Sequence, residues 1–200
     1  MAPRTPLLLL LLAACQGAPP PAPAGPASSV VAIALITRAD RPPHEGRPRT
    51  AYFVKLAAEG TQPILLRSDY ERDGVLYLVN AQPGRYAAVA CYGKGETNDW
   101  TAYFPESLIR ATEKEVPEGR VVLLGSFRVD LRSISTPGDA TQQHYLNLIF
   151  PEWAKRSEAW KLFTRDQHAW GGPWLAADDA ADVLLRMRKR LGPAWAAGFE

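Results

Sequence analysis

Residues Val121–Leu131 alternate: Val121, Leu123, Phe127, Val129 and Leu131 read as one face with Gly125 in line, while Ser126, Arg128, Asp130 and Arg132 read as the other. A repeat of two is the side-chain period of a β-strand, and it forces one row of side chains inward. Further short apolar runs lie at Val30–Thr37, Ala51–Leu56, Ile64–Arg67, Val75–Val79 and Tyr86–Tyr92, separated by Gly, Pro and Asp. In the first of them Val31, Ile33 and Leu35 fall on one side and the smaller Ala32 and Ala34 on the other. Many short strands with frequent turn signals predict a mainly β fold, an antiparallel sandwich or barrel. With 46% hydrophobic residues the chain can build a core for it.

The C-terminal third has another texture. Asp178 and Asp179 precede Ala180, Val183, Leu184, Met187 and Leu191 at helical spacing, Arg188, Lys189 and Arg190 close the run, and Gly192-Pro193 stops it. Acids at the start and cations at the end match the helix dipole. A second helix is expected from about Pro151 to Phe163, placing Trp153 and Trp160 seven apart on one face as packing residues. Trp170-Gly171-Gly172-Pro173-Trp174 has no helical register and reads as a tight loop. Exposed aromatic area is expected there, which makes Trp170 and Trp174 the candidate partner-binding residues.

The segment from Asp73-Gly74 through Val75–Val79 to Pro83-Gly84-Arg85-Tyr86 and Ala87-Ala88-Val89 resembles an element of transthyretin-like and carboxypeptidase-regulatory-like β-sandwiches. Val116–Gly125 is similar to a late strand of the same domains, with Glu118 between Pro117 and Gly119 and Leu124 where an aromatic is usual. The resemblance spans roughly residues 29–132 and implies a binding, stalk or assembly module without catalytic residues. On the residues themselves, Pro83 fixes φ and Gly84 supplies a positive one, predicting a type II turn between two adjacent antiparallel strands. Tyr86 can then reach back to that turn with its hydroxyl.

The N-terminus carries an address. Arg4 precedes the unbroken Leu7–Leu12 run, and Leu12-Ala13-Ala14-Cys15 follows. The apolar stretch is far short of the ~20 residues of a membrane span and has the layout of a secretory signal. It resembles the bacterial lipoprotein signal. That resemblance implies cleavage before Cys15, lipid on the Cys15 sulfur and acylation of its new amino group, leaving 186 of the 200 residues. Gln16 in place of Asp after the cysteine favours the outer membrane, facing the periplasm, in a host with two membranes. The tract Gln16–Pro26 holds five prolines and reads as an extended tether. The expected organisation is a signal peptide (residues 1–14), a lipidated Pro-rich tether (15–28), a β-sandwich (29–132) and a helical, Trp-rich C-terminal appendage (133–200).

Candidate chemistry is sparse. Formal charge is +2, from 23 basic and 21 acidic residues, so a nucleic-acid partner is not expected. Asp69–Gly74 begins like a calcium loop, but Asn80 stands where the final Glu ligand belongs, and a hairpin turn is the better reading. His44, His144 and His168 lack paired ligand spacing, so no metal is expected. Cys91 lies in an apolar run and reads as a buried thiol. Ser126 lacks the second glycine of a nucleophile elbow, and Glu106, Glu113 and Glu115 cannot be paired from sequence. The basic run Arg186–Arg190 suits either a helix C-terminus or anionic headgroups. The expectation is a lipid-anchored envelope protein that binds or assembles, without cofactor. An envelope enzyme acting on cell-wall glycan or peptide, its site between sandwich and appendage, is the alternative, and a structural subunit of an envelope complex is the third.

Overall fold

An apolar run can be buried on both faces, and β1 (Ser29–Ala39) is from Ser29 to Leu35, with Ile36 beyond it 44% exposed. Val31, Ile33 and Leu35 enter one core, while Val30, Ala32 and Ala34 enter a second on the opposite face, as the sequence alternation requires. The computed structural model describes residues 20–39, 47–57, 62–94, 99–132, 138–152 and 167–199. Within them run β2 (Pro48–Lys55), β3 (Ile64–Arg67), β4 (Tyr70–Arg72), β5 (Val75–Ala81), β6 (Gly84–Lys94), β7 (Asp99–Tyr103), β8 (Lys114–Val116), β9 (Val121–Arg132) and β10 (Gln167–Ala176). The helices are α1 (Glu106–Thr112), α2 (Ala140–Ile149) and α3 (Ala180–Leu191), with a 3-10 helix at Pro193–Phe199.

The protein is mainly β, built on one ten-stranded sheet in the order β3-β2-β6-β7-β10-β9-β1-β5-β4, with β8 added beside β6. The sheet is mixed rather than wholly antiparallel, because β1 pairs parallel with β9 and β7 parallel with β10. Its two ends, β3 and β4, are consecutive in the chain. Between them Ser68 N–H donates to the Ala51 carbonyl of β2 at 2.8 Å, and Asp69 N–H to the Tyr77 carbonyl of β5 at 2.9 Å. The sheet therefore curls round an inner core that gathers Phe53, Leu76, Val89, Trp100, Leu124 and Leu131 from five strands. On the outer face of β1, β5 and β9 lie Val183, Met187 and Leu191 of α3 with Trp195. Outside β6, β7 and β10 lies Leu146 of α2.

Three sequence expectations change. The alternation in β9 reverses at Gly125: Ala32 pairs with Leu123 but Ala34 with Ser126, so β9 spends three residues against two of β1. This bulge, with Gly125 at φ 156°, sends Val121 and Leu123 outward and Leu124, Phe127, Val129 and Leu131 inward. Pro83-Gly84 does not join neighbouring strands, since β5 pairs with β1 and β4, and β6 with β2, β7 and β8. The connection crosses the fold instead. Gly84 has φ 147°, positive but well away from the type II value of about 80°. Tyr86 does reach back as expected, its hydroxyl donating to the Gln82 carbonyl at 2.7 Å. Finally, residues 133–200 are not helical throughout. β10 falls among them and sits between β7 and β9, so the same sheet runs on past residue 132.

Asp73 (φ 54°) and Gly74 (φ 78°) form the two-residue turn of the β4–β5 hairpin, with the double positive φ of a type I′ turn. α3 starts and stops where the sequence places it. Asp179 Oδ1 accepts from Ala181 N–H at 2.9 Å, and Gly192 closes the last turn at φ 73°. The second expected helix, with Trp153 and Trp160, lies outside the described residues beyond Glu152, as do residues 1–19 with Cys15. The described part of the tether is docked rather than free. Trp195 Nε1 donates to the Pro21 carbonyl at 3.0 Å, Asn80 Nδ2 to the Ala22 carbonyl at 3.2 Å, and Ala24 N–H to Asn80 Oδ1 at 2.7 Å.

Candidate functional site

Gly171-Gly172-Pro173 stands inside a strand, where each of these residues is normally disfavoured. A second bulge accommodates them: Gly171 pairs with Leu131 and Trp174 with Val129, so β10 carries one more residue than β9. Proline needs no ladder partner at such a point. Gly171 is required by contact, since a Cβ there would lie 2.9 Å from the Tyr103 carbonyl and 3.4 Å from the Phe104 Cα. At Gly172 a Cβ would meet the Arg132 side chain, 2.8 Å from Nε. Arg132 therefore lies across the glycine-bared backbone of β10.

Asp139 and Gln142 fix the other wall. Asp139 is the N-cap of α2; its Oδ1 accepts from Gln142 N–H at 2.8 Å, and its Oδ2 from Glu106 N–H at 3.2 Å. Gln142 is buried, and its amide is fully used. Nε2 donates to the Tyr103 and Gly171 carbonyls at 3.0 and 2.8 Å, and Oε1 accepts from Gly138 N–H at 2.7 Å. One side chain thus ties α2, β7 and the bulge of β10 together. The result is an open cleft of about 480 Å³ whose working wall is Ser107, Arg132, Gln142, Gly172 and Trp174.

The two expected recognition tryptophans both border this cleft but differ in exposure. Trp170 is buried at 5% exposure, its ring 5.3 Å from that of Tyr103, which corrects the expectation that it projects into solvent. It belongs to the core between α2 and the sheet because its strand position points it there. Trp174 is half-buried. It stands edge-on to Phe127 at 5.4 Å, and its Nε1 donates to Ser107 Oγ at 3.1 Å. Arg132 is exposed at the rim, and its side chain has no hydrogen-bond or ion-pair partner among the described residues.

The other candidates are occupied in structure. Glu106 pairs with Arg110, and Glu113 with Arg85. Ser126 Oγ accepts from Asp178 N–H at 3.2 Å. His168 Nδ1 is 2.8 Å from the Tyr103 hydroxyl, and His144 is exposed on α2 against Tyr145; the two do not meet, and His44 lies outside the described residues. Cys91 is fully buried, and desolvation pushes its thiol far above the ordinary range, so the thiolate is not formed at neutral pH. A second cavity of about 560 Å³ lies between β1 and the start of α3, and its Arg186 and Asp178 are paired with each other at 2.6 Å. Among the described residues no group of His, Cys, Asp or Glu is placed to hold a metal ion, and no helix is long and apolar enough to cross a membrane.

Sequence reading missed Arg132, Ser107, Asp139 and Gln142. For two of them a signal was present. Asp139-Ala140-Thr141-Gln142 has the spacing of a capping box, which marks a helix start even where the apolar period is weak. Arg132 and Ser107 carried none, because only folding brings them to one wall. Comparison of the chain with family models, with curated proteins and with solved structures finds no match.

Proposed function

We propose that the protein is a lipid-anchored component of a bacterial cell envelope, held through Cys15, whose cleft binds an envelope partner without chemistry. The observation that carries this reading is the division of labour in the cleft. Its carboxylate, Asp139, is committed to two backbone N–H groups, while Arg132 and the face of Trp174 are left to meet a ligand. A general acid–base pair needs convergent groups free to exchange protons. A binding site needs a fixed charge beside an apolar face. Arg132 with Trp174 suits a carboxylate-bearing peptide or glycan, the guanidinium taking the anion and the indole stacking on the neighbouring apolar or sugar face. We read the curled sheet as a two-layered sandwich of the transthyretin-like kind, its Asp73–Val89 element crossing between layers at Pro83-Gly84. The shared inner core of β2, β5, β6 and β9 supports that reading.

Two measurements test the proposal. Arg132→Ala and Trp174→Ala should each weaken retention on isolated envelope material by about tenfold, the ordinary weight of a central interface residue. Retention equal to that of the unaltered chain overturns the cleft as the binding site. For the anchor, the unaltered chain should incorporate labelled palmitate and Cys15→Ala should not; label on Cys15→Ala overturns it.

A further inference from the structure

The docked tether limits how an anchored domain can stand on its membrane. Five residues, Gln16–Pro20, separate Cys15 from Pro21, whose carbonyl is fixed by Trp195. Even fully extended, the six steps from Cys15 to Pro21 reach only about 22 Å. That is well under the breadth of about 40 Å expected of a folded chain this long. The domain must therefore keep the face around Pro21 and Trp195 close to the bilayer.

That face is the C-terminal end of α3. Trp195 follows the last turn of α3 by way of Gly192-Pro193-Ala194. The charges of α3 are segregated along its axis. Asp178, Asp179 and Asp182 stand at the far end, and Arg188, Lys189 and Arg190 at the end the tether reaches. Arg190 is held by Asp73 at 2.6 Å. Arg188 and Lys189 are exposed, and their side chains have no hydrogen-bond or ion-pair partner among the described residues. Leu185 precedes them by three and four positions on the same outward face and is 69% exposed. Val183, Met187 and Leu191 are turned to the core, so the outward face is free to meet something else.

We infer that α3 is a headgroup-binding surface: its C-terminal turn, through Arg188 and Lys189, rests on the anionic lipid of the membrane that holds Cys15, with Leu185 at the interface. This rests on the anchoring reading of Cys15. A lysine or arginine near an anionic surface is attracted too weakly for capture from solution but strongly enough to orient a domain already tethered. An apolar side chain beside cations is the arrangement of an interfacial helix. The acidic far end of α3 is repelled, which tilts the helix with its C-terminus down. The cleft beside α2 lies across another outer face of the sheet and stays open to a partner.

The test uses the full lipidated chain in vesicles of phosphatidylethanolamine containing phosphatidylglycerol, with a quencher in the lipid. A fluorophore is attached at Ala194→Cys beside the tether or, for comparison, at Leu148→Cys on α2. Both positions are exposed, whereas Cys91 is buried and does not label. Quenching at position 194 should exceed that at 148 by about threefold or more, and raised salt should weaken it. Arg188→Glu with Lys189→Glu should remove most of the difference. So should an insertion of about ten Gly and Ser residues after Gly17, which lengthens the tether. Equal quenching at the two positions, or a difference that survives both changes, overturns the inference while leaving the anchor intact. A chain that takes up no lipid at Cys15 overturns the anchor and this inference with it.

Discussion

Asn80 holds a left-handed backbone at φ 60° near the end of β5, and from there its side chain clamps the Pro-rich segment through Ala22 and Ala24. Asparagine tolerates that conformation better than other side chains that carry a Cβ. Asn80→Ala and Asn80→Gly both remove the clamp, but only alanine retains the steric penalty. Asn80→Ala should therefore lie about 1 kcal/mol below Asn80→Gly in urea unfolding, with both releasing the segment to proteolysis. Equal midpoints would show that the backbone at residue 80 relaxes. Cys91 gives a second residue-level expectation. Its thiol ionises near 9.0 when unfolded and much higher when buried, so the unfolded chain loses a proton first. The stability carried by the neutral thiol is complete below pH 9 and falls as pH rises above it, by up to about 1.4 kcal/mol per pH unit for this group. Cys91→Ala should flatten the alkaline limb of a pH–stability curve between pH 9 and the tyrosine range. An unchanged limb contradicts the assignment.

β10 shows how one strand serves both the packed core and the wall of the cleft. Gly171 and Gly172 look equivalent in sequence but face different neighbours. Gly171→Ala presses on the backbone at the end of β7, at Tyr103 and the following Phe104, which cannot yield cheaply, and should cost about 1–3 kcal/mol of stability. Gly172→Ala meets the flexible Arg132 side chain first, with the Asp130 carbonyl next at 3.3 Å. It should cost less stability than Gly171→Ala, under about 1 kcal/mol, while displacing the guanidinium and weakening envelope retention. The reverse pattern would mean that Arg132 does not use the space over Gly172. This strand was illegible because Gly-Gly-Pro is a turn signature, and only the register with β9 reveals that a bulge absorbs it. The strands with clean alternation or long apolar runs, β1, β2, β5 and β6, were legible because local side-chain period decides them. In β9 the same rule found the strand and missed the bulge, since Leu123 and Leu124 are both apolar and either can begin the inward row. Of the site, Trp174 was legible as a large aromatic outside any helical register. Trp170 shares that signal, yet burial against Tyr103 decides its role.

The order of strands depends on pairings far apart in sequence, which no local pattern encodes. β1 meets β9 across about ninety residues, and β10 enters between β7 and β9 from beyond residue 166. The division at residue 132, placed where the composition changes, therefore separates strands that share one hydrogen-bonded sheet. Two truncations distinguish the contributions of the C-terminal third. A chain ending at Ser133 lacks β10, so β7 and β9 lose their bridge and the Leu131 and Tyr103 regions lose Ala169 and Trp170. With its longest unbroken path of hydrogen bonds cut, that chain should show no cooperative urea transition. A chain ending at Asp178 keeps β10 and loses only α3 and the 3-10 helix. It should retain β-type circular dichroism but expose Val30, Val79, Val121 and Leu123, and so self-associate at micromolar concentration. A cooperative transition in the shorter chain would mean that residues 29–132 close their own core, with β10 added to a sheet that was already complete.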